Sequence, residues 1–226
     1  MKNIKSVLFD LDGTLLDTAP DLVHALNLVR LEEGMSEVAL QHIRPIANLG
    51  SKAMVQRAFG IEETDKEFNR LRERFLHLYE QHLSLHTRLF PAMETVLAYL
   101  DQHHIPWGIV TSKLSQHAHP LLKALQLHHR PACLVCGDSL AETKPHPAPI
   151  LHACQQLKQI PAETIYLGDA ATDVLASKAA GTVSFVALYG YIQPEEEPLS
   201  WQADGYIKDP LELITWLNRE AGYPAL

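Results

Sequence analysis

The sequence predicts an α/β protein: a doubly wound parallel sheet with an all-helical unit set in after the first strand. Three observations predict it. Continuous apolar runs without polar alternation recur along the chain. In the second half they are separated by helical patterns of about ten residues. Between the first run and the second, about 70 residues carry no strand pattern at all.

The first run, Ser6-Val7-Leu8-Phe9, stops at Asp10. Runs of this kind read as strands buried on both faces, as in a parallel sheet. Thr18-Ala19-Pro20-Asp21 then has the form of a capped helix start with proline in the first turn. Leu22, Ala25, Leu26 and Val29 follow at helical spacing. Further helices are expected over 36–43, 51–59 and 65–83. A βα loop usually has two to six residues, so 17–90 is expected to form a separate helical unit. The core is then 1–16 with 91–226. Its later strands are expected at 107–111, 132–136, 164–168 and 183–188, alternating with helices at 115–125, 148–157 and 173–180.

Composition narrows the function. The chain has 226 residues, 46% of them hydrophobic, which fills a core and excludes low-complexity disorder. With 19 Lys+Arg against 27 Asp+Glu the net charge is −8. That balance argues against nucleic acid or an anionic membrane as the main partner. No apolar run approaches the roughly 20 residues needed to span a bilayer. The start Met1-Lys2-Asn3-Ile4-Lys5 is weakly basic, but Val7-Leu8-Phe9 is too short for a signal-peptide core. With three cysteines and no leader pattern, a soluble protein of the reducing cytoplasm is expected, as monomer or homodimer.

Ligands of an open α/β sheet bind at the carboxyl ends of its strands. Those ends carry Asp10 and Asp12, then Thr111-Ser112-Lys113, then Lys144, then Asp169. Carboxylates gathered near a lysine and hydroxyls imply an oxygen-liganded divalent metal beside an anionic substrate, Mg²⁺ with phosphate being the commonest pair. In Asp10-Leu11-Asp12-Gly13-Thr14 the two carboxylates share a side of extended chain, and Gly13 lets the backbone turn away. An ionised aspartate is a nucleophile without help from a base. Its difficulty is the negative phosphate, which Mg²⁺ and Lys144 offset. One unit-charge pair at about 4 Å is worth about 4 kcal/mol at an effective dielectric near 20. Asp12 is then placed to protonate the leaving oxygen and later to deprotonate water. In Gly168-Asp169-Ala170-Ala171-Thr172-Asp173 the two acids lie one helical turn apart, on one face. An EF-hand does not fit the first motif, since its sixth position would be Leu15 and its twelfth Asp21.

In order and spacing these segments resemble the four motifs of the haloacid dehalogenase superfamily: DxDGT, a Thr or Ser after the second strand, a Lys, and GDxxxD. The resemblance covers nearly the whole chain and implies a Rossmann-like core with a helical cap of the C1 type. It implies Asp10 as the nucleophile that forms an aspartyl-phosphate, and Asp12 as acid and base. Thr111, Ser112 and Lys144 would hold the phosphoryl group. Asp10, Asp169 and the Asp12 carbonyl would bind Mg²⁺, with Asp173 orienting the metal's surroundings. Leu188-Tyr189-Gly190-Tyr191-Ile192, Ile43-Arg44 and Gly50-Ser51-Lys52-Ala53-Met54 are similar to the phosphoglycolate phosphatase group, especially its bacterial N-acetylmuramic acid 6-phosphate phosphatases. Those relatives commonly carry Gly-Gly at Leu49-Gly50 and Asn at Ser112.

The resemblance thus implies a Mg²⁺-dependent phosphomonoesterase for a small metabolite such as phosphoglycolate or a sugar phosphate. Arg44, Gly50, Ser51 and Lys52 of the cap are expected to set its specificity, Arg44 or Lys52 by pairing a substrate carboxylate. Two alternatives share the core motifs. Sugar phosphomutases use a cap-helix histidine that would fall at Leu22. A catalytically silent regulator would keep only the metal site. Cys133-Leu134-Val135-Cys136 has no second pair to complete a zinc site, so buried, inert cysteines are expected. The 13 histidines lack zinc spacing and are expected to be solvated.

Overall fold

The computed structural model describes residues 4–221, so residues 1–3 of the basic start and 222–226 lie outside the described residues. The chain runs β1 (Ser6–Phe9), β2 (Leu16–Asp17), α1 (Ala19–Glu32), α2 (Leu40–Ile43), α3 (Gly50–Phe59) and α4 (Phe68–Gln81). Next come β3 (Arg88–Leu89), α5 (Met93–Gln102), β4 (Trp107–Val110), α6 (Ser115–Ala124), β5 (Cys133–Val135) and α7 (Ala148–Leu157). Last are β6 (Thr164–Gly168), α8 (Ala171–Ala180), β7 (Val183–Ala187), β8 (Gly205–Ile207) and α9 (Leu211–Ala221). A 3₁₀ turn over Arg44–Leu49 leads into α3.

Six strands form one parallel sheet in the order β5-β4-β1-β6-β7-β8. From β1 the chain winds outward through β4 and β5, then returns to β6 and winds the other way. The strand order therefore reverses beside β1, which opens a crevice at its carboxyl end. Asp10, Asp12 and Asp169 sit at that end.

Successive β1 side chains point to opposite faces. Val7 and Phe9 join one apolar cluster with Leu97, Ile165, Leu167, Phe185, Leu213 and Leu217, under α5 and α9. Leu8 joins the other, with Val110, Ile150, Ala153, Tyr166 and Ala176, under α7 and α8. The first cluster runs on without a break into the helical insert, through Leu22, Val29, Phe75 and Leu78. Within the insert α1 lies against α4 and α3. Its root is a short antiparallel ribbon in which Leu16 faces Leu89 and Asp17 faces Arg88.

The structure adds to and corrects the sequence reading. The ribbon, β8, α5 and α9 had no predicted counterpart; β2, β3 and β8 are two or three residues long, too short to show a period. The helix expected over 36–43 is only Leu40–Ile43, because the Asn27 side-chain amide takes both backbone groups of Val38 (3.0 and 2.8 Å) and holds it out of a helix. Thr18 does not cap α1 with its side chain but donates to Asp12 (2.6 Å). Asp21, in the first turn of α1, is bound to the return of the insert. Its fully buried carboxylate accepts from the N–H groups of His86 and Thr87 (2.8 and 2.9 Å) and from the Thr87 hydroxyl (2.7 Å). One side chain thus ties the start of the insert to its return. Asp21→Ala leaves these donors without an acceptor and is expected to cost about 3 kcal/mol in urea unfolding at pH 7. A loss below about 1 kcal/mol would contradict that account.

Candidate active site

Asp10 leaves β1 already buried, its backbone N–H bonded to the Leu167 carbonyl of β6 (2.8 Å). The Lys144 ammonium reaches it from the loop before α7, at 2.9 Å, and also meets Asp173 at 2.7 Å and the Tyr166 hydroxyl at 3.0 Å. Tyr166 in turn donates to Asp173 and lies 3.0 Å from the Val110 carbonyl. Burial pushes the Asp10 carboxyl up to about 7; Lys144 pulls it down, while Asp173 and Asp12 push it further up. Burial by itself would lower the Lys144 ammonium, but Asp10 and Asp173 more than reverse this and hold it above the ordinary lysine range.

Asp169 is fully buried at the end of β6. It accepts from the Thr14 hydroxyl (3.1 Å) and the Tyr191 N–H (2.7 Å). Burial, then the charges of Asp10 and Asp173, raise its carboxyl well above the usual range. The approach is tight. Gly13 has φ +83°, and a Cβ there would lie 2.2 Å from an Asp169 carboxylate oxygen. A Cβ on Gly168 would lie 2.3 Å from the Asp173 carboxyl carbon. Glycine at these two positions is what lets acids and backbone crowd together.

Asp10, Asp169 and Asp173 each offer an oxygen, all within 4.8 Å of one another. Three buried carboxylates lie together, and Lys144 pairs with only two of them, Asp10 and Asp173, so negative charge is in excess and adds to the effect of burial on Asp10 and Asp169. A divalent cation bound by hard oxygen ligands would relieve that excess, and the donor set fits one.

Asp12 faces the same crevice with different partners. Lys113 donates to both its oxygens at 2.9 Å, and Thr18 donates to one of them. Lys113 is itself buried and lies 5.0 Å from the Tyr79 ring centroid, on α4 of the insert. The Thr111 hydroxyl accepts the Lys113 backbone N–H (3.1 Å), which fixes the turn after β4.

A cavity of about 320 Å³ joins these groups. Asp10, Asp12, Thr111, Ser112, Lys113, Lys144 and Asp173 form its sheet side. From the insert come Leu22, Asn48, Gly50, Ser51, Met54, Arg72, Phe75, Leu76 and Tyr79. Of the residues singled out from the sequence, Asp10, Asp12, Thr111, Ser112, Lys144, Asp173, Gly50 and Ser51 line this one cavity, and Asp169 adjoins Asp10. Arg44 and Lys52 are placed elsewhere. Arg44 donates to both Asp17 oxygens (2.7 Å each) and lies over the Phe90 and Tyr191 rings, at the root of the insert. Lys52 is exposed and paired with Glu63 at 2.6 Å. Each already has a carboxylate of this chain away from the cavity, and neither lines it.

Four residues of the site escaped the sequence reading. Lys113 stands at a strand end in the sequence but has no role assigned to it there. Arg72 and Tyr79 sit in a helix read for apolar spacing alone. His117, expected to be solvated, is buried on α6, facing the cavity, 3.1 Å from Glu80 of α4. Burial, then Lys113, lower its pKa, while Glu80 opposes them. The usable signal was α4's helical period, which places Arg72, Phe75, Leu76 and Tyr79 on one face. The three cysteines are buried and unbridged, as expected.

Comparison with known proteins agrees with this geometry. Residues 7–187 match the family described as haloacid dehalogenase-like hydrolase. The chain is 38% identical to the N-acetylmuramic acid 6-phosphate phosphatase of Pseudomonas aeruginosa, over 96% of both chains. It is 41% identical to the phosphoglycolate phosphatase of Xanthomonas campestris, over 94% of this chain and 96% of that one. Among solved structures, a predicted phosphoglycolate phosphatase from Haemophilus somnus superposes with a TM-score of 0.83 at 27% identity, covering 96% of this chain and 99% of that one. With its sheet, its motifs and its helical insert in the places described, the chain belongs to the haloacid dehalogenase-like hydrolases.

Proposed function

We propose that this phosphatase hydrolyses a small, carboxylate-bearing phosphomonoester, phosphoglycolate or N-acetylmuramic acid 6-phosphate, with Mg²⁺ and through an aspartyl-phosphate on Asp10. The observation that carries the reading is the pair Asp10 and Asp12 at the end of the central strand. They face one cavity whose other wall is the helical insert, and Lys144 touches the first of them. The insert, 17–90, is read as a cap over a core of 1–16 and 91–226. The relatives' printed names supply the two substrates.

In this reading an Asp10 oxygen attacks phosphorus, the P–O bond to the alcohol breaks, and Asp12 gives the departing oxygen its proton. Asp12 then takes a proton from water, the water oxygen attacks phosphorus, and the Asp10–phosphate bond breaks to release inorganic phosphate. Lys144, Thr111 and Ser112 hold the phosphoryl oxygens. Lys113 and Thr18 keep Asp12 turned toward the cavity. Asp10, Asp169 and the Asp12 carbonyl would hold Mg²⁺, with Asp173 steadying them through Lys144. When bound, the ion supplies charge that offsets repulsion between carboxylate and phosphate. The mutase alternative needs a histidine where Leu22 lines the cavity. The direct test is turnover of p-nitrophenyl phosphate and of both carboxylate-bearing esters, with Mg²⁺ and with EDTA. Absence of Mg²⁺-dependent release of phosphate from all three would end the reading.

Three outcomes follow from the roles. Asp10→Asn is expected to abolish turnover while keeping the circular dichroism spectrum, since an amide is no nucleophile; phosphoryl-enzyme on another residue would refute it. Asp12→Asn is expected to react once with p-nitrophenyl phosphate, whose leaving group needs little protonation, and then to accumulate phosphoenzyme. Near-normal rates on an alkyl phosphate would remove Asp12 from acid–base work. The third concerns pH. Without metal the folded chain holds the Asp10 proton up to about 7, against 3.8 for a free carboxyl. This group's contribution to stability is therefore full below pH 4 and falls as pH rises toward 7. Mg²⁺ competes with that proton, so its upward shift of Tm should be larger at pH 7.5 than at pH 5.5, read by scanning fluorimetry. An equal or smaller shift at pH 7.5 would count against the assignment.

A further inference from the structure

We infer that Arg72, steadied by Ser51, is the carboxylate-recognising residue of the cavity and sets the preference for acidic leaving groups. The inference rests on the phosphatase reading above and assigns the part of that reading which Arg44 and Lys52 do not fill.

Helix α4 carries three arginines two residues apart. Arg70 and Arg74 are exposed, and each makes a two-pronged pair with an acid at the C-terminal end of α1, Glu33 just past it and Glu32 its last residue. A step of two residues turns about 200° around a helix, so Arg72 points the opposite way. It is half-buried and lines the cavity beside Phe75, Leu76 and Tyr79 of its own face. Its Nε donates to the Ser51 hydroxyl at 2.8 Å. No carboxylate pairs with it among the described residues, and its two terminal amino groups have no acceptor there.

The other cations of the cavity are committed. Lys144 holds Asp10 and Asp173, and Lys113 holds both oxygens of Asp12. Arg72 alone among the described Lys and Arg side chains lining the cavity has no carboxylate of this chain as a partner. It also stands on the insert, on the side where the alcohol part of the ester must lie if the phosphoryl group sits at Asp10. A guanidinium anchored through one nitrogen presents a planar fork that matches a carboxylate. Further polar capacity lies alongside. The two buried side-chain atoms without a hydrogen-bond partner among the described residues are Asn48 Oδ1 and the Tyr79 hydroxyl, and both residues line this cavity. The Asn48 acceptor suits a leaving group that carries a hydroxyl or amide donor as well as the acid.

The experiment uses matched pairs of esters with Mg²⁺ present. Phosphoglycolate is set against 2-hydroxyethyl phosphate, and N-acetylmuramic acid 6-phosphate against N-acetylglucosamine 6-phosphate; in each pair only the first carries the carboxylate. Arg72→Gln is expected to lower kcat/KM on the acidic member of the physiological pair by roughly 10- to 100-fold, and on its partner and p-nitrophenyl phosphate by less than about threefold. Arg72→Lys, which keeps charge without the fork, and Ser51→Ala should fall between wild type and Arg72→Gln. Which pair responds identifies the leaving group. Equal losses on both members, no loss on the acidic one, or a wild-type enzyme that does not prefer the acidic member of either pair would overturn the inference. In those cases continued turnover of p-nitrophenyl phosphate leaves the phosphatase reading standing. If wild type hydrolyses no phosphomonoester, both fall together.

Discussion

Everything in the crevice hangs on Lys144. Its ammonium lies 2.9 Å from Asp10 and 2.7 Å from Asp173, two buried acids. Taking a carboxylate out of water costs several kcal/mol after relaxation, and a close opposite charge repays part of it. One lysine cannot serve three acids, however, and burial, with the neighbouring negative charges added to it, still raises Asp10 and Asp169. The fold is thereby built around a charge deficit. That deficit is tolerable because the surrounding strands are pinned by ladder hydrogen bonds on both sides of β1.

A second constraint joins the crevice to the root of the insert. Tyr191, in the loop after β7, donates its backbone N–H to Asp169 and its hydroxyl to Asp17, and that hydroxyl accepts the N–H of Ala19 at the start of α1. Asp17 is also held by Arg44, whose guanidinium covers the Tyr191 and Phe90 rings. Asn48 closes the circuit by donating to the Tyr191 carbonyl at 2.9 Å. The same loop therefore positions an acid of the cluster and the element from which the cavity's far wall grows. Movement of the insert would be felt at Asp169 through one residue. This also explains Arg44: its charge is spent on geometry at the root, so recognition of the leaving group falls to another side chain.

The contact between the insert and the sheet domain has a different character at its outer edge. Glu80 of α4 meets His117 and Gln116 of α6, and the Tyr79 ring lies 5.8 Å from that of His117. These are polar, partly solvated contacts, unlike the apolar cluster that continues from the sheet into the insert.

The sequence by itself determined five of the sheet's six strands and which polar residues stand at their carboxyl ends. Apolar runs at β1, β4, β6 and β7 are legible because a strand buried on both faces leaves no room for polar residues. Asp10, Asp12, Lys144 and Asp169 are legible because a parallel sheet gathers its strand ends at one edge, so residues far apart in the chain have to converge. Asp10 and Asp12 are read from local spacing alone. Pairing was not legible. Whether a cationic side chain serves the fold or the cavity depends on which acid lies within about 3 Å of it, and that is set by how helices pack, not by neighbours in sequence. Arg44 met Asp17 and Lys52 met Glu63, while Arg72, written between two arginines that look the same in the sequence, turned inward. His117 was buried by a helix 37 residues earlier in the chain for the same reason. Local rules place the backbone; only the tertiary structure decides which charge is left without a partner.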